Sequence, residues 1–561
     1  MSKVKVTTPH AAVIVWNYRD RVSGDKGVTL GANDVEPAII STVSLISIAT
    51  SKEKSAPHGQ FELVLAPTKN WVAALTPGSW LCILMSQNKI QEADLKNVNT
   101  SQIKMLGRID SVRAVVNVEP NGARQTVYRV SGPDWGQVFN TNVYLDPLAR
   151  DLNKSDISTA MRFIYEKQVL TLKTNGIPSS RKNIEALLDI WGSKINPLSS
   201  VEKTTGVLLN PAVRYTFPKE VCDFLGLGSG EKAVAIKEAV VLKTGNLIGV
   251  DKYNNNLIDS LGVIQPASIF GNNNFWQLLN DNCNPLLNEV ICDMDMVGKN
   301  KINLTLINRI KPFVFRDNYK GKDSVAKIES KFKNVKTINI DENTVQQVDA
   351  GTNWRDKYNF IEIQVDQSFL PDNRSADLKS KMQEFDPLAI QREGFRPLFA
   401  YAKYFPPKSN NVEIDEQNMF KWKYLLRQWY FDTHRMLNGN ITFTGMDEYI
   451  RVGDNIMFKA KLIGNTSNIN SGALKNPDDA YILAHVESIN HSFNVSTNGA
   501  RSFNTTVSFV RGIIVNKDKV VLDEGTLDLD ATKMTPKEEK NTNTVSTSTV
   551  QDPDTKKLKG K

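Results

Sequence analysis

A stretch near one end of this chain is written a second time near the other. Leu106-Gly-Arg-Ile-Asp-Ser-Val-Arg-Ala-Val-Val-Asn-Val-Glu-Pro-Asn-Gly-Ala-Arg124 aligns without a gap to Leu483-Ala-His-Val-Glu-Ser-Ile-Asn-His-Ser-Phe-Asn-Val-Ser-Thr-Asn-Gly-Ala-Arg501. Eight of the 19 positions are identical, against about one expected from ordinary residue frequencies. Pairs such as Ile109/Val486 and Asp110/Glu487 keep size or charge. Each copy runs into Asn-Gly, the strongest short hairpin signal, so hairpins are expected at Asn121-Gly122 and Asn498-Gly499, with positive φ at both turn residues. Shorter counterparts lie upstream: Pro77-Gly-Ser-Trp-Leu81 with Val452-Gly-Asp-Asn-Ile456, and Gly59-Gln-Phe61 with Gly439-Asn-Ile441. The chain therefore carries one β unit twice. The candidate site residues are its turns, Gly78, Asn121, Gly122, Gly453, Asp454, Asn498 and Gly499, which fix strand register and with it the geometry of any ring the units form.

Strand patterns surround both copies. Residues 11–16, 39–49, 59–66, 80–86, 103–118 and 124–131 read as strands, Phe61, Leu63 and Leu65 alternating with Glu62 and Val64. Consecutive strands with hairpin turns predict a small antiparallel barrel or sandwich. From about residue 150 the period changes. Helices are expected at 155–166, 183–191, 219–225 (closed by Gly226) and 274–279. Strands return at 289–293, 302–307, 337–340 and 359–365, followed by a helix at 422–437 and strands at 440–444, 455–461, 482–495 and 502–509. The fold class is mainly β with α+β insertions: two repeated tube-like antiparallel β-barrel domains and a helical insert. The expected division is 1–148 for the first barrel, 149–290 for the mostly helical insert, 291–420 for an α+β connection and 421–520 for the second barrel. The tail, 521–561, is polar and expected to be disordered.

Length and composition exclude several classes. A chain of 561 residues has room for three or four cores. Its longest apolar runs, Ala11–Trp16 and Trp80–Met85, are far short of the roughly 20 residues that cross a bilayer, so no stable membrane association is expected. The N-terminus lacks a signal-peptide pattern, so synthesis and folding in a reducing cytoplasm are expected. The four cysteines, Cys82, Cys222, Cys283 and Cys292, are too scattered for a disulfide framework or a zinc knuckle. A net charge of +8, with acids interleaved among bases, argues against a dedicated nucleic-acid binder.

Candidate chemistry thins out on inspection. Gly226-Leu-Gly-Ser-Gly-Glu-Lys232 has its glycines after a helix and no Gly-Lys-Ser/Thr step, so it reads as a helix C-cap rather than a phosphate loop. The five histidines, His10, His58, His434, His485 and His491, form no HExxH, and His485 and His491 fall on repeat positions held by Arg108 and Ala114. Glu393, Asp447 and Glu448 are candidates for a muramidase carboxylate pair, but nothing in the sequence places such a pair across a cleft, and surface acids on loops are the default. The expectation is no enzyme, no catalytic residue, no metal and no cofactor. A wall-degrading enzyme and a carbohydrate-binding β-sandwich remain alternatives, separable by peptidoglycan turbidity and a glycan array.

The duplication itself admits two readings. Three chains with two copies each make a quasi-sixfold ring able to join sixfold and threefold structures; simple gene duplication gives the copies no symmetry role. The repeat alone leaves both readings open, and a longer series of motifs bears on the choice. Gly59-x-Phe-x-Leu, Pro77-Gly-x-Trp, Gly107-Arg-Ile-Asp-x-Val and Ser131-Gly-Pro-Asp134 are followed by Arg309-x-x-Pro-Phe313, Asp356-x-Tyr-Asn359-x-Ile, Gln391-Arg-Glu-Gly394, Trp429-Tyr430 and Ile450-Arg-x-Gly-Asp454. In this order the chain resembles the baseplate central hub proteins of contractile-tailed bacteriophages, related to tail late-control proteins and the hub part of type VI secretion spikes. The resemblance covers most of the chain outside 150–290 and the tail. It implies a homotrimer in the virion tail baseplate, joining a sixfold tail tube or tube-initiator protein to a separate threefold central spike protein. Other baseplate proteins would surround it, and genomic DNA would pass transiently through its channel.

Overall fold

The computed structural model describes residues 8–18, 35–90, 100–118, 124–140, 216–226, 234–235, 240–245, 288–296, 302–311, 335–365, 383–402, 436–463, 480–516 and 519–520, with a few single positions near 276–280 and 430–433. The first copy contains β1 (His10–Tyr18), β2 (Val35–Ile40), β3 (Leu45–Glu53), β4 (Gln60–Leu65), helix α1 (Trp71–Ala74), β5 (Trp80–Ser86), β6 (Ile103–Arg108), β7 (Ser111–Val118) and β8 (Arg124–Pro133). Next come β9 (Thr216–Phe217), α2 (Lys219–Leu225), β10 (Val234–Ala235), β11 (Val240–Gly245), β12 (Asn288–Met296) and β13 (Ile302–Ile310). The second copy opens with β14 (Thr337–Asn339) and β15 (Val345–Gly351). A small unit follows: β16 (Phe360–Val365), β17 (Gln383–Phe385), α3 (Pro387–Glu393) and β18 (Pro397–Ala402). It ends with β19 (Leu437–Thr444), β20 (Asn455–Lys459), β21 (Ala480–Val495) and β22 (Arg501–Asn516), on which β23 (Lys519–Val520) pairs.

Strand pairing carries the repeat much further than residue identity does. Adding 377 to every residue of the β7–β8 ladder, from Ser111↔Ser131 to Val118↔Arg124, reproduces the β21–β22 ladder from Ser488↔Ser508 to Val495↔Arg501, pair for pair. Leu63↔Val130 between β4 and β8 becomes Ile441↔Val507 between β19 and β22. Ile48↔Leu63 between β3 and β4 becomes Val348↔Ile441 between β15 and β19. Even the register slip between Leu45 and Ser47 recurs between Val345 and Gln347. Each copy is a four-stranded antiparallel unit, β3-β4-β8-β7 or β15-β19-β22-β21, in one shared register. Phe61 is thus the counterpart of Gly439, not of Ile441 as the Gly-x-Phe match suggests; a two-residue displacement keeps side chains on the same face, so the hydrophobic pattern cannot detect it. The second copy also draws on residues 337–351, upstream of the 421–520 span expected from sequence.

The two expected barrels are not separate closed tubes. Both units lie in one eleven-stranded sheet with the path β15-β19-β22-β21-β3-β4-β8-β7, and among the described residues no sheet closes on itself. The reason is edge satisfaction. β21, the counterpart of β7, pairs with β3 of the other copy, so strands that would close two barrels instead join them. The expected long strand at 103–118 is likewise broken at Ile109-Asp110 into β6 and β7. In β21 the same corner is turned by bulges between Leu483 and His485 and between Val486 and Ser488, the usual device for a strand that changes layers.

A second layer lies behind the sheet. In the sheet β2-β1-β5-β6 the central strands β1 and β5 are buried on both faces, which explains the uniformly apolar runs at 11–16 and 80–85. Ala11, Val13, Val15, Leu81, Ile83 and Met85 pack with Ile48, Phe61 and Leu63. Ala12, Ile14, Trp16, Trp80, Cys82 and Leu84 pack with Phe217, Val221 and Leu225 around α2 and with Val290 and Leu304. β12 alternates between cores: Val290, Cys292 and Met294 enter the first, while Ile291 enters the second copy's core beside Ile441 and Ile456. Within 149–290 the described residues hold α2, capped by Gly226 at φ 67, and four strand segments. The helices expected at 155–166 and 183–191 lie outside the described residues; of 274–279 only Trp276 and Gln277 are described, both helical, and of 422–437 only a few positions from Tyr430 on, Leu437 already belonging to β19.

Candidate assembly interface

The turn residues meet as the repeat requires. Gly78, at φ +90, donates its N–H to the Ile109 carbonyl, and Gly453, at φ +83, donates to Val486, the residue aligned with Ile109. The return bonds also correspond, from Ile109 N–H to Ser79 O at 2.9 Å and from Val486 N–H to Asp454 O at 2.9 Å. Asp454 adds a buried ion pair to Arg451 at 2.6 Å. Positive φ strains any residue with a Cβ, so Gly453→Ala is expected to cost more than about 1 kcal/mol, read as a lowered urea midpoint.

The hairpin tip departs from expectation. Only Gly499 has positive φ, at +79. Ser496 N–H bonds Ala500 O and Gly499 N–H bonds Ser496 O, which makes a three-residue loop with a left-handed glycine at its end. Asn498 works through its side chain, accepting the Ala500 N–H at 3.0 Å. Asn121 and Gly122 lie outside the described residues, although the flanking pair Val118↔Arg124 matches Val495↔Arg501.

The feature that sequence alone missed is the seam between the copies. β21 and β3 pair from Ser488↔Glu53 to Asn494↔Ser47. Lys54 N–H extends the ladder to Glu487 O at 2.8 Å, and its ammonium pairs with the Glu487 carboxylate and, at 3.3 Å, with Glu289 of β12. Phe493 is fully buried here, inside the first copy's core with Phe503. Lys104 crosses the seam, donating to Met446 O at 2.8 Å and Asp447 O at 3.2 Å, while Asp447 accepts from Gln87 N–H at 3.2 Å and Asn88 Nδ2 at 3.1 Å.

Burial pushes the Lys104 ammonium down to about 7 from 10.5, against an opposing pull from Asp447 and Glu448. Between those values the unfolded chain holds the proton and the folded chain does not. Unfolding free energy from this group therefore rises as pH climbs from about 7 and is lost again on return to 7. Lys104→Met is expected to flatten that part of the pH dependence in urea titrations.

The same seam defines two edges. β7 is bonded only to β8, and β15 only to β19, among the described strands. β7 is the counterpart of β21 and β15 is the counterpart of β3, so the outer edges repeat the two sides of the inner junction. Val116, which corresponds to the buried Phe493, is 55% exposed.

The sheet's solvent face is polar. It carries Ser111–Ser131 and Thr442–Thr506 hydroxyl pairs, each at 2.9 Å, and bonds from Ser508 to Asn440 at 2.6 Å and from Gln346 to Asn504 at 2.8 Å. Its charges are Arg113 and Arg129 against Glu53, Glu62 and Asp349, which leaves it near neutral.

The remaining candidates have structural occupations. Glu393 is paired with Lys357. His485 bonds Asn455 at 3.0 Å and His491 bonds Thr505 at 2.9 Å, both buried in strands. Burial holds His491 well below its ordinary value, Lys104 adding to the effect. Cys82, Cys222 and Cys292 are free and buried, and Cys283 lies outside the described residues. Among the described residues no group of three or more His, Cys, Asp or Glu is placed to hold a metal ion, and no helix is long and apolar enough to cross a membrane.

The architecture is thus a mainly-β chain with a duplicated, register-equivalent sheet unit. No protein-family model and no curated protein matches it. Among solved structures, a tail protein from Neisseria meningitidis MC58 is 12% identical, with 90% of this chain and 96% of that one covered, at a TM-score of 0.39. The 43 kDa tail protein of prophage MuSo2 from Shewanella oneidensis gives 12%, 90%, 98% and 0.40. A Francisella PdpA-VgrG complex, half-lidded, gives 9%, 90%, 58% and 0.33. All three scores lie below 0.5, and strand register, not likeness, carries the reading that follows.

Proposed function

We propose that this chain is a structural protein of a phage-type tail baseplate, a hub whose two sheet units form one third of a quasi-sixfold ring. The observation that supports this is the pair of edges, on β7 and β15, that no other described strand fills. A contact that joins unlike surfaces head to tail builds a ring when its rotation closes. Here the chain already makes that contact once, between β21 and β3, and presents β7 and β15 for the next. In this reading three chains supply six equivalent seams. The tail tube and the central spike sit on opposite ends of the ring, with other baseplate proteins around it, and the chain carries out no catalysis. The 1–148, 149–290, 291–420, 421–520 and 521–561 division is kept as part of the proposal, with 337–351 assigned to the second sheet unit.

The near-neutral polar face is suited to line the channel. Each neutralised phosphate adds salt-dependent affinity through counterion release, so a passage for DNA is better without a basic stripe. Linear duplex DNA is expected to bind no better than roughly 10⁻⁴–10⁻⁶ M at physiological salt; fluorescence anisotropy giving nanomolar binding at that salt would contradict the channel assignment. Ring closure is tested by hydrogen exchange, in which amides of β7 and β15 gain protection on assembly while those of β21 and β3 stay protected throughout.

A further inference from the structure

The exposed apolar side chains are unevenly spread. Of the large hydrophobics described as exposed, Ile39, Val43, Val72 and Val116 lie on the first copy, and Trp354, Phe385, Leu388, Phe395 and Phe399 lie on the small β16–β18 unit. None lies on the second copy's own sheet strands. On the small unit, Phe360 pairs in register with Phe385 and Pro397, and Glu362 pairs with Phe399. Phe360, Phe385 and Phe399 therefore share one face, with the Phe395 ring centred 4.9 Å from Phe360. The other face is covered: Ile361 and Ala389 are buried. One aromatic face is left open, with Glu362 also on it, and beside it the Arg396 guanidinium stacks 5.0 Å from the Trp354 ring.

The location of this face identifies what covers it. The first copy joins β3 to β4 through the short loop 54–59, and at the same point the second copy carries residues 352–436. At the inner seam, Lys54 of that loop meets Glu487. Carried to the outer edges by the repeat offsets, the position of Lys54 becomes Trp354 and that of Glu487 becomes Asp110. The Asp110 corner is where Gly78 bonds Ile109, just after α1, a helix that packs on β7 and exposes Val72. Asp110 there stands beside Arg108, whose guanidinium donates to Gly78 O at 2.9 Å, so it is the repeat position of Trp354, and not net charge, that selects this corner.

We infer that the aromatic face of the β16–β18 unit docks on the α1–Asp110 corner of a second copy of this chain, as a clasp beside the β15–β7 seam. The inference rests on the ring reading and adds a contact that strand pairing does not require. It also explains why the longer connection sits on β15, which ends an open edge, and not on β3, whose edge is already filled within the chain.

The test compares two variants of the full chain with wild type by sedimentation velocity across a concentration series. Phe385→Asp/Phe399→Asp changes only exposed side chains. It is expected to keep the wild-type circular dichroism and melting temperature while weakening assembly at least tenfold, and Phe385→Leu/Phe399→Leu is expected to restore most of the loss. Val116→Pro, on the seam, is expected to abolish assembly. If Val116→Pro blocks assembly and the Asp pair leaves it unchanged, the clasp is wrong and the ring stands, and the face belongs to some other partner. A wild-type chain that remains monomeric at tens of micromolar overturns both.

Discussion

Mild oxidation of a chain carrying Ala114→Cys and Ala350→Cys is expected to give a disulfide ladder that ends at a covalently closed trimer. The register follows from the inner seam. His491 faces Thr50 across β21 and β3, and the repeat offsets turn that pair into Ala114 and Ala350. Directly opposed residues in an antiparallel pair bring their Cβ atoms to about 4.5–5.5 Å, close enough for a disulfide after a small adjustment. Cys82, Cys222 and Cys292 are buried and do not compete, and Cys283 is removed by Cys283→Ser in this chain and its companion. A companion chain with Ala114→Cys and Asp349→Cys is one residue out of register. That step turns the second thiol to the opposite sheet face, so the ladder should be nearly absent. Equal cross-linking by both pairs would mean chance collision rather than a seam.

Asp134→Ala is expected to be the most destabilising single change in the first copy. Asp134 and Lys52 are both buried, and their charged atoms lie 2.6 Å apart. The other Asp134 oxygen accepts the Gly136 N–H at 2.8 Å, and Lys52 also donates to Pro57 O at 2.8 Å. Burial by itself lowers the Lys52 affinity for its proton, but Asp134 together with the neighbouring Cys292 and Asp293 outweighs it, and the ammonium is held above its ordinary value. Removing the acid strands a buried cation, which costs about 3–5 kcal/mol. Urea unfolding should show that loss. The double change Lys52→Met/Asp134→Leu should recover most of it, because the pair's net contribution is far smaller than the penalty for halving it. A single-variant loss below about 1 kcal/mol would mean that the pair is solvated.

That ion pair also shows how far the copies have diverged. The positions equivalent to Lys52 and Asp134 in the second copy are Thr352 and Arg511, so the same two backbone sites carry unrelated chemistry. The hairpin could be read in the sequence because its residues survived in both copies. The match of Gly78 with Gly453 was legible for a different reason: a left-handed φ leaves glycine as the one comfortable choice. β3 and β15 show no such trace. Leu45-Ile-Ser-Ile-Ala-Thr-Ser51 and Val345-Gln-Gln-Val-Asp-Ala-Gly351 share no identical residue, and only their core-facing apolar positions correspond. Their kinship lies in backbone pairing, which any side chain of the right burial permits.

The same limit explains why two closed barrels were expected and one continuous sheet was found. Alternating hydrophobicity says which face of a strand is buried and nothing about which edge takes which partner. β21 could satisfy its edge within its own copy or across to β3, and the sequence pattern is the same either way. Of the small β16–β18 unit only β16, at 359–365, was legible as a strand; β17 has three residues, too few to show an alternation, and β18 was not legible either, so the face shared by Phe385 and Phe399 left no trace in the sequence pattern.

Native mass spectrometry of the full-length chain at micromolar concentration, with its tube and spike partners present, tests the central claim most directly. Six equivalent seams from two units per chain predict a complex containing three copies of this chain. A stable monomer, or a dimer with twofold symmetry, would contradict it.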